Sequence, residues 1–192
     1  LSEARLRHFA ALVEKWSAKI NLVSKSDIPH IWTRHIQDSL ALIPHIPENT
    51  AAAIDLGSGA GFPGLVLAIA TNIPFTLIES DKRKAAFLQD AARELYAPVK
   101  VLAVRIEDAK PTPAPLITAR ALAPLDKLLG LAAPHLAPGG ICLFPKGETW
   151  QNELTAAKAL WEMQAEPLAA GGGAAKNCIL KVSHLRHVGQ SG

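Results

Sequence analysis

A chain of 192 residues, 49% hydrophobic and 19% charged, is long enough to bury one sizeable core, and its mean hydropathy of +0.16 excludes a disordered chain. Two cysteines, Cys142 and Cys178, exclude a disulfide scaffold, and neither stands in a metal-binding C-x-x-C. The 20 Lys and Arg against 17 Asp and Glu leave a net charge of +3, which permits an anionic partner without demanding one.

Leu6, Phe9, Val13, Trp16 and Ile20 recur at alternating spacings of three and four, which predicts an amphipathic helix over the first twenty residues. A second helical stretch over 29–42 carries Ile31, Trp32, Ile36 and Leu40, and Pro44 and Pro47 break the chain after it. From residue 51 strands and helices alternate. Strands are predicted over 51–56, 75–79, 99–104, 115–118, 140–144 and 177–182, the last reached through the glycine run at 171–173. Helices are predicted over 65–71, 81–96, 126–136 and 148–163. Repeated alternation means βαβ units and a parallel sheet covered on both faces. The expectation is one α/β domain over 47–192 wearing a helical cap over 1–46. The uncharged stretches 56–78 and 128–145 are interrupted by Gly and Pro, so neither reads as a membrane span. The chain opens on Leu1, leaving room for an upstream start, and shows no leader pattern; a reducing-compartment, soluble protein is expected.

The strongest signal is Asp55-Leu56-Gly57-Ser58-Gly59-Ala60-Gly61-Phe62-Pro63-Gly64, between the first strand and the first crossover helix. Glycines there let the backbone turn tightly and approach a ligand at the carboxyl edge of the sheet. Gly59 to Gly64 satisfies the dinucleotide pattern G-x-G-x-x-G, and Glu79 ends the next strand, where an acid can hold a ribose diol. Gly59 nevertheless lies two residues late for that pattern, and Asp55 would repel a pyrophosphate. S-adenosylmethionine (SAM) has no phosphate and is net cationic, so an Asp at the strand tip favours it, directly or through water. SAM is therefore preferred, and a nucleotide-binding oxidoreductase and a non-catalytic RNA-binding protein stay as alternatives. After the third strand, Glu107 or Asp108 can accept from the adenine amine, or simply form a solvated turn. Arg120, after the fourth strand, is either a functional cation or a partner of Asp126.

Absences narrow the methyl acceptor. The segment Arg120-Ala121-Leu122-Ala123-Pro124 lacks the polar-Pro-Pro-aromatic cluster that exocyclic-amine methylation commonly uses. Cys142 and Cys178 fall in predicted strands and read as core residues, which disfavours a covalent route to a pyrimidine carbon. A ring nitrogen with its own lone pair needs neither base nor nucleophile, only alignment and exclusion of water. Basic residues at Arg34, His35, Lys82–Lys84, Lys146 and from Lys176 onward hint at an RNA-facing side. With ten aromatic residues in all, an extensive base-stacking surface is not expected.

Trp16 with Asn21-Leu22, then Arg34-His35-Ile36-Gln37-Asp38-Ser39, then the glycine loop, resemble the bacterial small-subunit ribosomal RNA guanine-N7 methyltransferases, once called glucose-inhibited division protein B. Arg105-Ile106-Glu107, Arg120-Ala121 and Lys146-Gly147 follow in matching order. The resemblance implies a Rossmann-like, seven-stranded SAM-dependent fold. It implies methyl transfer to a guanine in the 530 loop of 16S rRNA, at position 527 of the usual rRNA numbering, without a covalent intermediate. It implies Gly57 and Phe62 in the loop, Glu79, Ile106 and Glu107 as cofactor contacts, and Arg120 near the methionine end. With Asp55, Gly59 and Gly61 these make the expected cofactor set; Arg120, Lys146, Arg34 and His35 are the expected positioning residues, and no metal is expected. The expected partner is 16S rRNA in a small-subunit particle, met by a monomer in the cytoplasm and away from membranes.

Overall fold

The computed structural model describes residues 2–170 and 177–189. The glycine run at 171–173 and Lys176, singled out above, lie outside the described residues.

Helix α1 (Ser2–Ile20) opens the chain. The 29–42 stretch is not one helix: a 3-10 turn (Ile28–His30), a π-helical segment (Ile31–Ile36) and a single α turn, α2 (Gln37–Leu40), follow one another. Pro29 tightens the first of these, and Ile31, Trp32 and Ile36 seat on the core without holding a 3.6-residue period. Then come β1 (Ala53–Leu56), α3 (Gly64–Thr71), β2 (Phe75–Ile78), α4 (Lys82–Glu94), β3 (Val99–Leu102) and β4 (Ala114–Thr118). Helix α5 (Leu125–Ala132), β5 (Leu136–Lys146), α6 (Trp150–Ala157), β6 (Trp161–Ala169) and β7 (Cys178–His187) complete the chain.

The sheet runs β3-β2-β1-β4-β5-β7-β6, parallel through β5, with β7 antiparallel to both its neighbours. Strand order reverses between β1 and β4, which opens a crevice at their carboxyl ends where doubly wound sheets take ligands. Every residue of β1 is buried, as a central strand between two helical layers requires. Asp81 caps α4 by accepting from the backbone N–H groups of Arg83 (2.8 Å) and Lys84 (3.2 Å).

The predicted helix over 148–163 is overturned. It stops at Ala157, and Trp161–Ala169 forms the edge strand β6. Glu, Met, Gln and Ala favour a helix there, but pairing with β7 overrides that preference. Glu166 pairs with Lys181 across the strands at 3.3 Å, Glu162 with Arg186, and Pro167 is tolerated because β6 is an edge.

The cap belongs to the core of one sheet face. Phe9 of α1 is fully buried against Phe62 of the glycine loop, centroids 5.4 Å apart, and against Phe87 of α4 at 6.3 Å. Arg5 donates to the Ile69 carbonyl in the last turn of α3 (3.0 Å), where a cation also meets the helix dipole. Cys142 and Cys178 are free and buried, and burial pushes both thiols up, away from reactive thiolates. No helix of the described residues is long and apolar enough to cross a membrane.

Candidate active site

Two cavities meet at the carboxyl edge of the sheet. The larger, about 570 Å³, lies over the β1–β4 switch point and carries Gly57, Ser58, Gly59 and Phe62 of the loop, Glu79 after β2, and Ile106 and Glu107 after β3. Arg120 and His35 close its remaining side. The second, about 440 Å³, shares the wall Arg120–Ala123 and runs on to Asp38, Lys146 and Glu153. Both fall in the size range of small-molecule sites.

Gly57 turns the chain away from β1 in the left-handed region, at φ +65°, and a Cβ there would stand 2.6 Å from Leu122 Cδ1. A side chain would therefore both strain the turn and push on the wall between the cavities. Glu79 is nearly buried, and each oxygen accepts one backbone N–H: Gly59 at 2.8 Å and Asp81 at 2.7 Å. Its carboxylate is thereby fixed in place with lone pairs left to accept from a diol. Ile106 gives the cleft an apolar wall, and Glu107 pairs with Arg105 at its exposed rim, 3.3 Å away.

Asp55 does not line the cleft. It is fully buried beneath the loop, where Oδ1 accepts from the Thr118 hydroxyl at 2.6 Å, between two residues that face each other in the β1–β4 register. Oδ2 has no hydrogen-bond partner. Burial pushes the carboxyl up to about 6, with the Thr118 hydroxyl pulling it down. A Cβ on Gly64 would stand 2.5 Å from Asp55 Cβ, so glycine lets this acid pack against the first residue of α3. A dinucleotide would set its pyrophosphate at that helix N-terminus. Here the protein's own carboxylate stands there, and Leu65 and Val66 of the first turn are fully buried. The dinucleotide alternative therefore loses its anion site. A cation suits the cleft better, because the buried acid sits one layer below it and Glu79 faces into it. Gly61 is likewise buried, against Phe9 and Leu88, and supports the loop from outside the cleft.

Arg120 reaches the cap and not Asp126. Its guanidinium lies 2.9 Å from His35 Nδ1, donates to the Arg34 carbonyl at 3.4 Å, and sits 5.2 Å above the Phe62 ring, on which His35 also stacks at 4.9 Å. Arginine can only donate, so Nδ1 must accept, and His35 is the neutral tautomer with its proton on Nε2. Burial and the charge of Arg120 hold the imidazole down at about 4, which keeps it neutral. The Arg34 side chain does not itself line the cleft and pairs at 3.0 Å with Asp27, which does. Lys146 lines only the second cavity, where Nζ donates to the Ala123 carbonyl (3.1 Å) and to Glu153 Oε2 (2.7 Å). Glu153 also takes the Leu125 N–H (3.0 Å), which braces the shared wall from behind. Asp38, Thr118 and Glu153 carry this geometry, and no spacing in the sequence links them to the glycine loop.

The family described as "GidB: rRNA small subunit methyltransferase G" matches residues 2–177. The chain is 57% identical over 186 residues to the ribosomal RNA small subunit methyltransferase G of Acidiphilium cryptum, covering 94% of this chain and 84% of that protein. The protein of the same name from Gluconobacter oxydans is 54% identical over 187 residues, covering 96% and 94%. Among solved structures, the glycopeptide N-methyltransferase MtfA complexed with SAM superposes with a TM-score of 0.64 at 10% identity, over 79% of this chain and 94% of that one. M. jannaschii TYW2 in complex with AdoMet gives 0.61 at 16% identity, over 89% and 80%. At such identities these two establish the Rossmann-like fold alone. With a family match over nearly its whole length and relatives above half identity, the chain belongs to the small-subunit ribosomal RNA methyltransferase G family.

Proposed function

We propose that this protein transfers the methyl group of SAM to N7 of a guanine in the 530 loop of 16S rRNA, by direct in-line attack without a covalent intermediate. The observation that carries the reading is the pair of cavities joined at Arg120–Ala123, one built for a cation and its ribose, the other open to an acceptor base. SAM supplies an electrophilic methyl group when bound. In this reading Gly57, Gly59 and Phe62 cradle it, Glu79 accepts from the ribose diol, Ile106 and Glu107 meet the adenine, and Arg120 stands toward the methionine end. Asp55 and Gly61 act from beneath, holding the loop and supplying negative potential.

N7 carries no proton, so the site has none to remove, and its chemistry fits that demand. Lys146 is neutralised by Glu153, and His35 is held neutral, so neither adds charge against the positive ring that forms. His35 and the Arg34 carbonyl hold Arg120, and Lys146 holds Ala123, so the four positioning residues fix the shared wall. The cap over 1–46 and the domain over 47–192 thus act as one unit, as a monomer in the cytoplasm, on rRNA presented by a small-subunit particle.

The test is to incubate purified protein and SAM with small subunits from cells lacking the gene, then map N7-methylguanine in the 16S rRNA. A single new N7-methylguanine in the 530 loop is the expected result. Methylation elsewhere, or none, overturns the assignment.

A further inference from the structure

Four Asp, Glu, Lys or Arg side chains line the second cavity, and three are already committed. Lys146 and Glu153 satisfy each other and the backbone at Ala123 and Leu125, and Arg120 is held by His35 and the Arg34 carbonyl. The fourth is Asp38, on α2 of the cap. It is half-buried, and among the described residues its carboxylate makes no hydrogen bond and no ion pair within 4.0 Å. Burial pushes its carboxyl up, while Arg120 and Arg34 pull it down from a distance. A partly desolvated carboxylate with no protein partner keeps its acceptor lone pairs open to a ligand that donates.

The chemistry of the acceptor says what that is. Guanine accepts at N7 and O6 on one edge and donates from N1–H and the N2 amine on the opposite edge. A guanine that turns N7 toward the wall shared with the cofactor cleft must turn its donors away from it. Asp38 lines the second cavity and is absent from the first, so it is open to an edge of the base other than the one that meets the cofactor. Resting on the function proposed above, we propose that Asp38 reads the acceptor base, its carboxylate accepting from N1–H and the N2 amine of guanine while N7 faces the cofactor. Adenine would present a lone pair at N1 and no amine at C2, and the carboxylate would repel it. The contact also strengthens along the reaction. As N7 becomes alkylated the ring gains positive charge, N1–H and the N2 amine become stronger donors, and an anion across the ring gains more in the transition state than in the ground state.

The test uses small subunits reconstituted with 16S rRNA carrying either guanosine or inosine at the acceptor position, inosine lacking only the N2 amine. The parent enzyme should lose about tenfold in kcat/KM on inosine, the size of one hydrogen bond to a charged group. Asp38→Asn should lose about 10- to 100-fold on guanosine, bind SAM within about twofold of the parent, and distinguish the two substrates by less than about threefold. A parent enzyme indifferent to inosine overturns the proposal without reference to any variant. So does an inosine penalty as large in Asp38→Asn as in the parent, the outcome if Asp38 only balances the charge of Arg120. If the parent leaves N7 of the guanosine substrate unmethylated, the reading of the function fails, and the proposal falls with it.

Discussion

Replacing Asp55 with Asn measures what the protein gives up to keep a charge under its cofactor loop. Burial displaces this carboxyl from 3.8 to about 6, so between those values the folded chain binds more protons than the unfolded one. Stability therefore falls as pH rises through that window, the reverse of an ion-paired surface carboxylate, and is flat above it. At ~1.36 kcal/mol per pH unit the displacement amounts to about 3 kcal/mol. About 2 kcal/mol of that lies between pH 4.5 and 7.5. Asp55 is fully buried, so screening by solvent takes little from the figure. Asn keeps the shape and an acceptor for the Thr118 hydroxyl but has nothing to titrate. Urea unfolding of parent and Asp55→Asn at several pH values is the assay. The stability of the variant relative to the parent should climb by about 2 kcal/mol from pH 4.5 to 7.5, whatever constant offset the amide brings. A pH-independent difference would refute the buried charge. SAM affinity of the variant at pH 7.5 should meanwhile fall, because the negative potential beneath the cleft is gone.

Gly57→Val forces a β-branched residue into the left-handed region and drives its Cβ toward Leu122, 2.6 Å away; calorimetry should find SAM binding lost, and an unchanged Kd would displace the cofactor from this loop. Lys146→Met strands the Glu153 carboxylate and should cost about 2 kcal/mol in chemical denaturation, whereas adding Glu153→Gln should recover part of it; strictly additive losses would deny the brace.

The parts of the molecule legible from sequence are those whose signals are local. Strands β1 to β4, helix α4 with its Asp81 cap, and the glycine loop each announce themselves within one short run of sequence. Seven of the nine cofactor residues expected from motif and resemblance line one cleft, while Asp55 and Gly61 lie beneath it. Strand β6 was not legible, because its composition is helical and only its partner makes it a strand. The 29–42 stretch misled because a π-helical segment buries residues at a spacing that a helical period imitates. Thr118 and Glu153 act through residues 63 and 28 positions away, and Asp38 through a shared cavity, and such pairings exist only in the folded chain. The alternative partner for Arg120, Asp126, was nearby in sequence but not in space; His35, across the cap, holds it instead.

The place of β7 in the sheet bears on how the molecule is made. Strand β7 is made after β6 and yet is not at the edge: it lies between β5 and β6, and β6 reaches the rest of the sheet only through it. While β7 is still inside the ribosome, β5 ends the growing sheet and β6 has no partner. At ~5–20 residues per second, synthesis from the end of β6 to the end of β7 takes roughly one to four seconds. The glycine loop and Glu79 are already made by then, but Cys178 and Ile179 of β7, which wall the second cavity, are not. The order of synthesis therefore makes every residue that lines the larger cavity before the strand that completes the second.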